Sequence, residues 1–457
     1  MPFVTGPLPQ RLKLVHGFGA VAFGVKDSGF SFFLLPFYNL VLGVDASTVG
    51  AALAAALVID ALVDPLIGHL SDRTYTKWGR RLPWLYLAPW PLALVWTMLW
   101  SPPFTGTPGF WDIVALAVGV RLLLSACEVP SVSLVPEITD DYDDRTTLFR
   151  YRFLSGWLGG LLMMVLTFTV FLPTPQSQLQ PEGYASYGLF GAALIALSVI
   201  GSAAAQHRIV AQLPERRPPP FSITGAFAEI FDAFREKAFV IFALGGLAAY
   251  VLQGMTFSIT QYVNLYVWQF SELAFQLYPA VLFLSVVLMF VIVGPLHRRW
   301  GKPKSAALGA LVGLAFYCSP YVFYLAGAWP TVGTTASTAL LYGFLVCANT
   351  ASVVAIISAT SMVAEIVEAF EERTGQRAEG TFYAGNWLVQ KCATGGGILL
   401  TSLIVQSIDL APGTPQTEVA PETVRQLVWL FMLAATVLAS IAAFWLARFP
   451  ISREQHE

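Results

Sequence analysis

From about Leu12 to Ala447 the chain alternates long apolar runs with short polar interruptions. About twelve runs can be placed, near 14–43, 48–71, 82–101, 111–134, 151–171, 186–206, 239–268, 274–296, 305–325, 337–364, 380–406 and 426–447. Each has roughly the 20 residues a helix needs to cross a hydrocarbon core of ~30 Å. The longest polar interruption contains "PERRPPP" and then the amphipathic "FAEIFDAFREK", and it follows the sixth run. It predicts an N-terminal six-helix half over 1–206, a central loop over 207–237 and a C-terminal six-helix half over 238–457. The first run is too long for a signal peptide and reads as a retained membrane helix.

Positive charge gives the orientation. Arg11 and Lys13, the Arg73 to Arg81 group, Arg145 and Arg150, Arg208, Arg216 and Arg217, Arg298 to Lys304, Arg373 and Arg377, and Arg448 and Arg453 occupy alternate connections and the two ends. Those connections and both termini are expected to be cytoplasmic. Opposite loops such as "SPPFTGTPGF" are nearly free of Lys and Arg, with Arg425 the exception. An even number of spans with an internal central loop is the plan of the major facilitator transporters.

Composition strengthens this reading. The 457 residues are 56% hydrophobic and only 12% charged, against roughly 25% charged in soluble domains. An all-α membrane protein follows, with the lipid bilayer as a partner and no soluble domain left over. A net charge of −2 and dispersed basic residues exclude nucleic acid as a partner. Cys127, Cys318, Cys347 and Cys392 lie in apolar runs without CxxC spacing, so neither disulfides nor a zinc site is expected. There is no GxxxxGK[ST] loop, Ser/Lys dyad or HExxH pattern, which argues against ATP as the energy source and against an enzyme.

The charges inside the runs carry the chemistry, because each costs about 2.5–3.5 kcal/mol at a span centre. They are Lys26 and Asp27, Asp60 and Asp64, Arg121 and Glu128, Arg152, and Lys391. Asp60 and Asp64 are one helical turn apart and share a face, with Cβ atoms ~5–6 Å apart. Two such carboxylates need a cation or a proton between them. The plainer alternative is that one acid caps the kink at Pro65 and the other pairs with a basic residue. Asp27, Asp60, Asp64, Glu128, Arg152 and Lys391 together carry a formal excess of two negative charges, which favours a cation as co-substrate. Ser125, one turn before Glu128, offers an oxygen to sodium or bonds its own backbone. Arg121 either snorkels, pairs with Asp27, or binds an anionic substrate group. Trp268, Tyr262, Asn264, Gln261, Asn349, Asn386 and Trp387 are groups that line sugar cavities or hold helices together. Gly395, Gly396 and Gly397 suit close packing or bending.

Nearly the whole chain resembles the melibiose-permease-like glycoside-pentoside-hexuronide:cation symporters of the major facilitator superfamily. The resemblance rests on "GFGAVAFGVKDSGF", "IDALVDPLIGHLSDRTYTKWGRRLPW", "CEVPSVSLVPEITDDYDDRTTLFRYR" and "MVAEIVEAFEERTGQRAEGTFYAGNWLVQKCATGGG". It implies substrate contacts at Asp27, Glu128 and Arg152; the residues themselves add Lys26, Arg121, Trp268 and Trp387 as further candidates. Asp60, Asp64 and Lys391 are implied at the cation-coupling site, to which the spacing adds Ser125. Gly68, Asp72, Arg73, Gly79, Arg80 and Arg81 are implied in gating, and the charged run around Glu365 and Arg373 reads as a second gating segment. Two departures stand out: Glu128 and Val132 occupy places where the best-known member has an aspartate and an aromatic that stacks on galactose. Arg121 stands where a small residue is expected.

The expected function is cation-coupled secondary symport of a sugar, glycoside or uronide by alternating access. No cofactor or metal is expected beyond a co-transported sodium or proton, which would occupy Asp60 and Asp64. The substrate is a small molecule with an anionic group among the options. The chain is expected to be monomeric, in a plasma membrane, the inner membrane of a bacterium. The alternative is a cation-coupled transporter of lysolipids or other amphiphiles on the same fold, suggested by the bulky "GFSFFLLPFYNL".

Overall fold

The computed structural model describes residues 4, 6, 8–212, 231–375, 378–408, 410–416 and 418–450; their regular structure is helical, with no strand among them. Most of the central loop (213–230), with Arg216 and Arg217, lies outside the described residues, as do Arg377 and Arg453. The helices are α1 (Gln10–Phe18), α2 (Val21–Ser28), α3 (Leu34–Pro36), α4 (Ala46–Arg73), α5 (Leu82–Leu87), α6 (Pro89–Trp100), α7 (Phe110–Ser133), α8 (Val135–Ile138), α9 (Tyr142–Leu166) and α10 (Pro181–Val210). They continue as α11 (Lys237–Tyr262), α12 (Glu272–Leu325), α13 (Thr335–Thr374), α14 (Glu379–Ser407) and α15 (Pro421–Leu446).

Local chemistry sets several ends. Asp141, Ser271 and Thr334 each accept a backbone N–H with the side chain at the start of α9, α12 and α13, satisfying a donor that the helix leaves open. Gly375, at φ 70°, ends α13 in the left-handed conformation that glycine adopts without a Cβ penalty. Gly301, at φ 74° and ψ 169°, breaks the long α12 run in two. Wider π turns at Gly29–Phe33 and Phe37–Val41 interrupt the first run.

Ten helical runs among the described residues are long and apolar enough to cross a membrane. The chain is therefore a multi-pass membrane protein. Its contacts divide it into two units, Met1–Val44 with Ala51–Ala226, and Asp45–Gly50 with Phe227–Glu457.

In the first unit α2 packs on α9, and α6 on α10. Gly24 allows the former: a Cβ there would strike the backbone of Gly156 and Gly160. Phe33, Phe37, Trp96, Trp100, Tyr184 and Tyr187 fill the interior near the π turns, with Phe37 and Tyr184 rings 4.6 Å apart. In the second unit α12 pairs with α13 and α11 with α14. Phe239, Phe242, Met362, Ile366 and Phe382 form part of one buried cluster there.

Candidate functional site

The first unit holds seven of the eight charges found inside the apolar runs, two of them, Arg121 and Glu128, on α7. Arg121, Ser125 and Glu128 are spaced by four and three residues, which puts them in one stripe along the helix. Hydrogen bonds and ion pairs join this stripe to α4 and α9.

Asp60, on α4, meets the first turn of the stripe. Arg121 donates from Nε to Asp60 Oδ2 at 3.0 Å, and its Nη2 lies 3.0 Å from the same oxygen in an ion pair. Ser125 donates its hydroxyl to Oδ1, also at 3.0 Å. The side chains of Arg121 and Asp60 are 7% and 4% exposed. Phe30, in the first π turn, lies under the guanidinium at 5.2 Å, near enough for a cation–π contact. Arg121 therefore meets Asp60, whereas Asp27 pairs with its neighbour Lys26 at 3.4 Å. Lys26 is buried and also lies 4.3 Å from the Phe23 ring. Asp64 follows Asp60 by one turn on α4 and is half-buried.

One turn beyond Ser125, Glu128 faces Arg152 of α9. Arg152 donates from Nη2 to Glu128 Oε1 at 3.4 Å and from Nη1 to Ser131 Oγ at 2.6 Å. Glu128 keeps 28% of its side chain exposed. Both residues line a small cavity of about 10 Å³ with Gly19, Cys127, Ser131 and Ser202, room for about one water. Behind it, buried His16 shares a 3.2 Å bond with Gln206, which donates to Ser202.

Glu137 joins the loop residues into one network. Its Oε1 accepts from Arg80 and from Arg81, each at 3.0 Å. Arg81 also bonds Asp72 and, at 2.6 Å, Ser71, whose hydroxyl reaches the Gly68 carbonyl at 3.0 Å. Arg73 instead turns back to the His69 carbonyl at 3.1 Å.

In the second unit Glu365 pairs with Lys302 at 2.9 Å, and Arg373 with Glu236. Lys391 is half-buried on α14. Asn386 accepts from the Tyr250 hydroxyl at 3.1 Å. Trp387 is 52% exposed, whereas Trp268 is 2% exposed and packs its ring among Tyr321, Tyr324 and Trp329. That packing leaves the Trp268 ring almost no surface for a ligand. Glu137, Ser131 and Phe30 were not among the residues the sequence singled out. Ser131 follows Glu128 by one turn and was accessible to that spacing; Glu137 sits among several loop acids and carries no distinguishing signal.

The comparisons with known proteins agree with a transporter. The family model for MFS/sugar transport proteins matches residues 15–453. A protein of Synechocystis sp. described as an uncharacterised symporter is 27% identical, with 97% of this chain and 94% of that protein covered. A candidate sulfoquinovose importer of Salmonella typhimurium is 25% identical, over 95% of this chain and 90% of its own. The crystal structure of a bacterial homologue of the human lysosomal transporter Spinster aligns with a TM-score of 0.68 at 14% identity, covering 97% of this chain and 98% of that one.

Proposed function

We propose that this chain, which belongs to the MFS/sugar transport protein family, is a cation-coupled symporter of a sugar, glycoside or sugar acid working by alternating access. That it is a membrane transporter and not an enzyme follows from the family itself; in a bacterium its place is the inner membrane. Coupling ion and substrate class are our reading.

The observation that carries the substrate part is the Glu128–Arg152 pair. A carboxylate and a guanidinium borrowed from two helices, bordering a cavity and still partly open to water, are suited to exchange each other for sugar hydroxyls. Lys26 and Arg152 are the cations available to an acidic group, and the relative described as a candidate sulfoquinovose importer makes sulfonated sugars a class to test. Asp27 would complete the substrate contacts; Asp60, Asp64 and Lys391 would serve coupling; and the Glu137-centred network with Glu365 and Arg373 would serve gating. Twelve crossings follow if α5 and α6, nearly continuous through Ala88, make one and the break at Gly301 makes two of α12. Both termini are then cytoplasmic by the distribution of Arg and Lys.

The residues that suggested a lipid substrate are spent on packing: Phe30, Phe33, Leu34, Leu35, Phe37 and Leu40 are each 5% exposed or less. The test is uptake into proteoliposomes under an imposed sodium or proton gradient, screened over glycosides, uronides, sulfonated sugars and a lysolipid. Gradient-dependent accumulation of a sugar is the expected result. Accumulation of the lysolipid alone would overturn it.

A further inference from the structure

Arg121 is the one intramembrane cation of the first unit that shares a helical stripe with both a coupling candidate and a substrate candidate. Its Nε donates to one oxygen of Asp60, with Nη2 at 3.0 Å from the same atom, and Ser125 donates to the other. A sodium ion bound by this carboxylate would have to lie beside, or displace, a guanidinium already in place. Hard cations bind by gathering several oxygen ligands, and here each oxygen of the carboxylate already accepts from an N–H or O–H donor, with a guanidinium in contact.

We propose that Arg121 determines ion specificity: it is a tethered counter-ion that fills, on Asp60, the place a sodium ion would take, so that the carrier turns sodium away. This rests on the symporter reading above. Three features make the tether durable. Guanidinium cannot be deprotonated in a protein, so no stage of a transport cycle discharges it. The pair is sealed, with both side chains under a tenth exposed, and little water is available to mediate exchange. Phe30 closes the face of the guanidinium at 5.2 Å, and its ring is itself buried, 6.4 Å from that of Trp96. The cation and the acid also come from different helices, α7 and α4, so the same pair that excludes sodium ties these two helices together. Placing Arg121 lowers the formal excess on Asp60 and Asp64 from two negative charges to one, which removes the need for a divalent load or for two monovalent ions.

The experiment measures sodium directly, without substrate. Radioactive sodium is equilibrated by dialysis with the purified full-length protein in detergent, wild type beside Arg121→Asn, Arg121→Lys and the double variant Arg121→Asn, Asp60→Asn. Wild type and Arg121→Lys should show no saturable sodium binding. Arg121→Asn should gain it, at least tenfold above the wild-type level at the same sodium concentration, and the double variant should lose it again. A folded Arg121→Asn that gains no binding overturns the proposal. If Arg121→Asn does not fold, wild type decides: saturable binding that Asp60→Asn removes overturns the proposal, and its absence supports it. Failure of the symporter reading would show separately, as absence of sugar accumulation under either gradient in proteoliposomes of the wild type.

Discussion

Two trios of the same chemical groups lie along α7, and they differ in how far water reaches the acid, the arginines being equally buried at 7% and 6% exposed. In Asp60–Arg121–Ser125, α7 supplies the cation and the hydroxyl, and α4 supplies the acid. In Glu128–Arg152–Ser131 the roles invert, with the acid and hydroxyl from α7 and the cation from α9. The first acid is 4% exposed with both nitrogen contacts at 3.0 Å. The second is 28% exposed with its contact at 3.4 Å and a cavity beside it. The same groups thus form one pair whose acid is closed to water and another whose acid is open to it. In low dielectric a broken pair strands a charge, whereas near water the charge finds new partners.

The strongest way to break this comparison is to strand a charge in the sealed trio. Asp60→Ala leaves Arg121 buried without its carboxylate and should lower stability by about 3–5 kcal/mol, the largest drop in apparent Tm of any change considered. The paired replacement Asp60→Leu, Arg121→Leu removes both charges and should recover most of that loss, since apolar residues of similar volume commonly match a buried ion pair. If Asp60→Ala melts like wild type, the first trio is open to water after all.

The same logic gives a different signature in the open trio. Glu128→Gln keeps the shape, and water from the cavity can solvate Arg152, so Tm should move much less than for Asp60→Ala. Transport should bear the effect. Loss of one charged hydrogen bond to substrate, about 1.5–3 kcal/mol, lowers the substrate kcat/KM by about 10- to 150-fold. Uptake kinetics set against melting curves of the same protein separate the two. A Glu128→Gln variant as unstable as Asp60→Ala, with uptake unchanged per folded molecule, would erase the distinction.

The acids, cations and helical faces were legible in the sequence; the partnerships were not. Spacing alone put Asp60 with Asp64 and put Arg121, Ser125 and Glu128 on one stripe, because those relations live inside a single helix. Which arginine meets which acid is set by how α4, α7 and α9 pack, and no periodicity records that. Arg121 was weighed against Asp27, but Asp27 takes its neighbour Lys26 and Asp60 takes Arg121. Span positions were legible to within a few residues where the apolar run and the helix coincide, as in 111–134 against Phe110–Ser133. They diverged where the helix runs on into polar sequence: α9 begins at Tyr142, nine residues before the apolar run at 151. Hydropathy marks the part of a helix that suits lipid, while hydrogen bonding continues wherever residues such as Asp143 and Asp144 favour its first turn. The π turns at Gly29–Phe33 and Phe37–Val41 had no sequence signal beyond bulky residues that had to be accommodated.

The finest discrimination comes from one atom removed in each trio. Ser125→Ala deletes a hydroxyl that donates to Asp60 Oδ1 at 3.0 Å in a site closed to solvent. The carboxylate oxygen left behind has no water to replace it, so the variant should lose about 1.5–3 kcal/mol, the range for hydrogen bonds to charged groups. Ser131→Ala deletes an acceptor for Arg152 Nη1 that is shorter, at 2.6 Å, and contact length alone would make it the costlier change. The cavity of about 10 Å³ beside it reverses that ranking, since a single water can enter and accept the same N–H bond. Ser131→Ala should therefore lie within about 1 kcal/mol of wild type, and its apparent Tm should stay above that of Ser125→Ala. The opposite order would mean that distance, and not access to water, separates the two ends of α7.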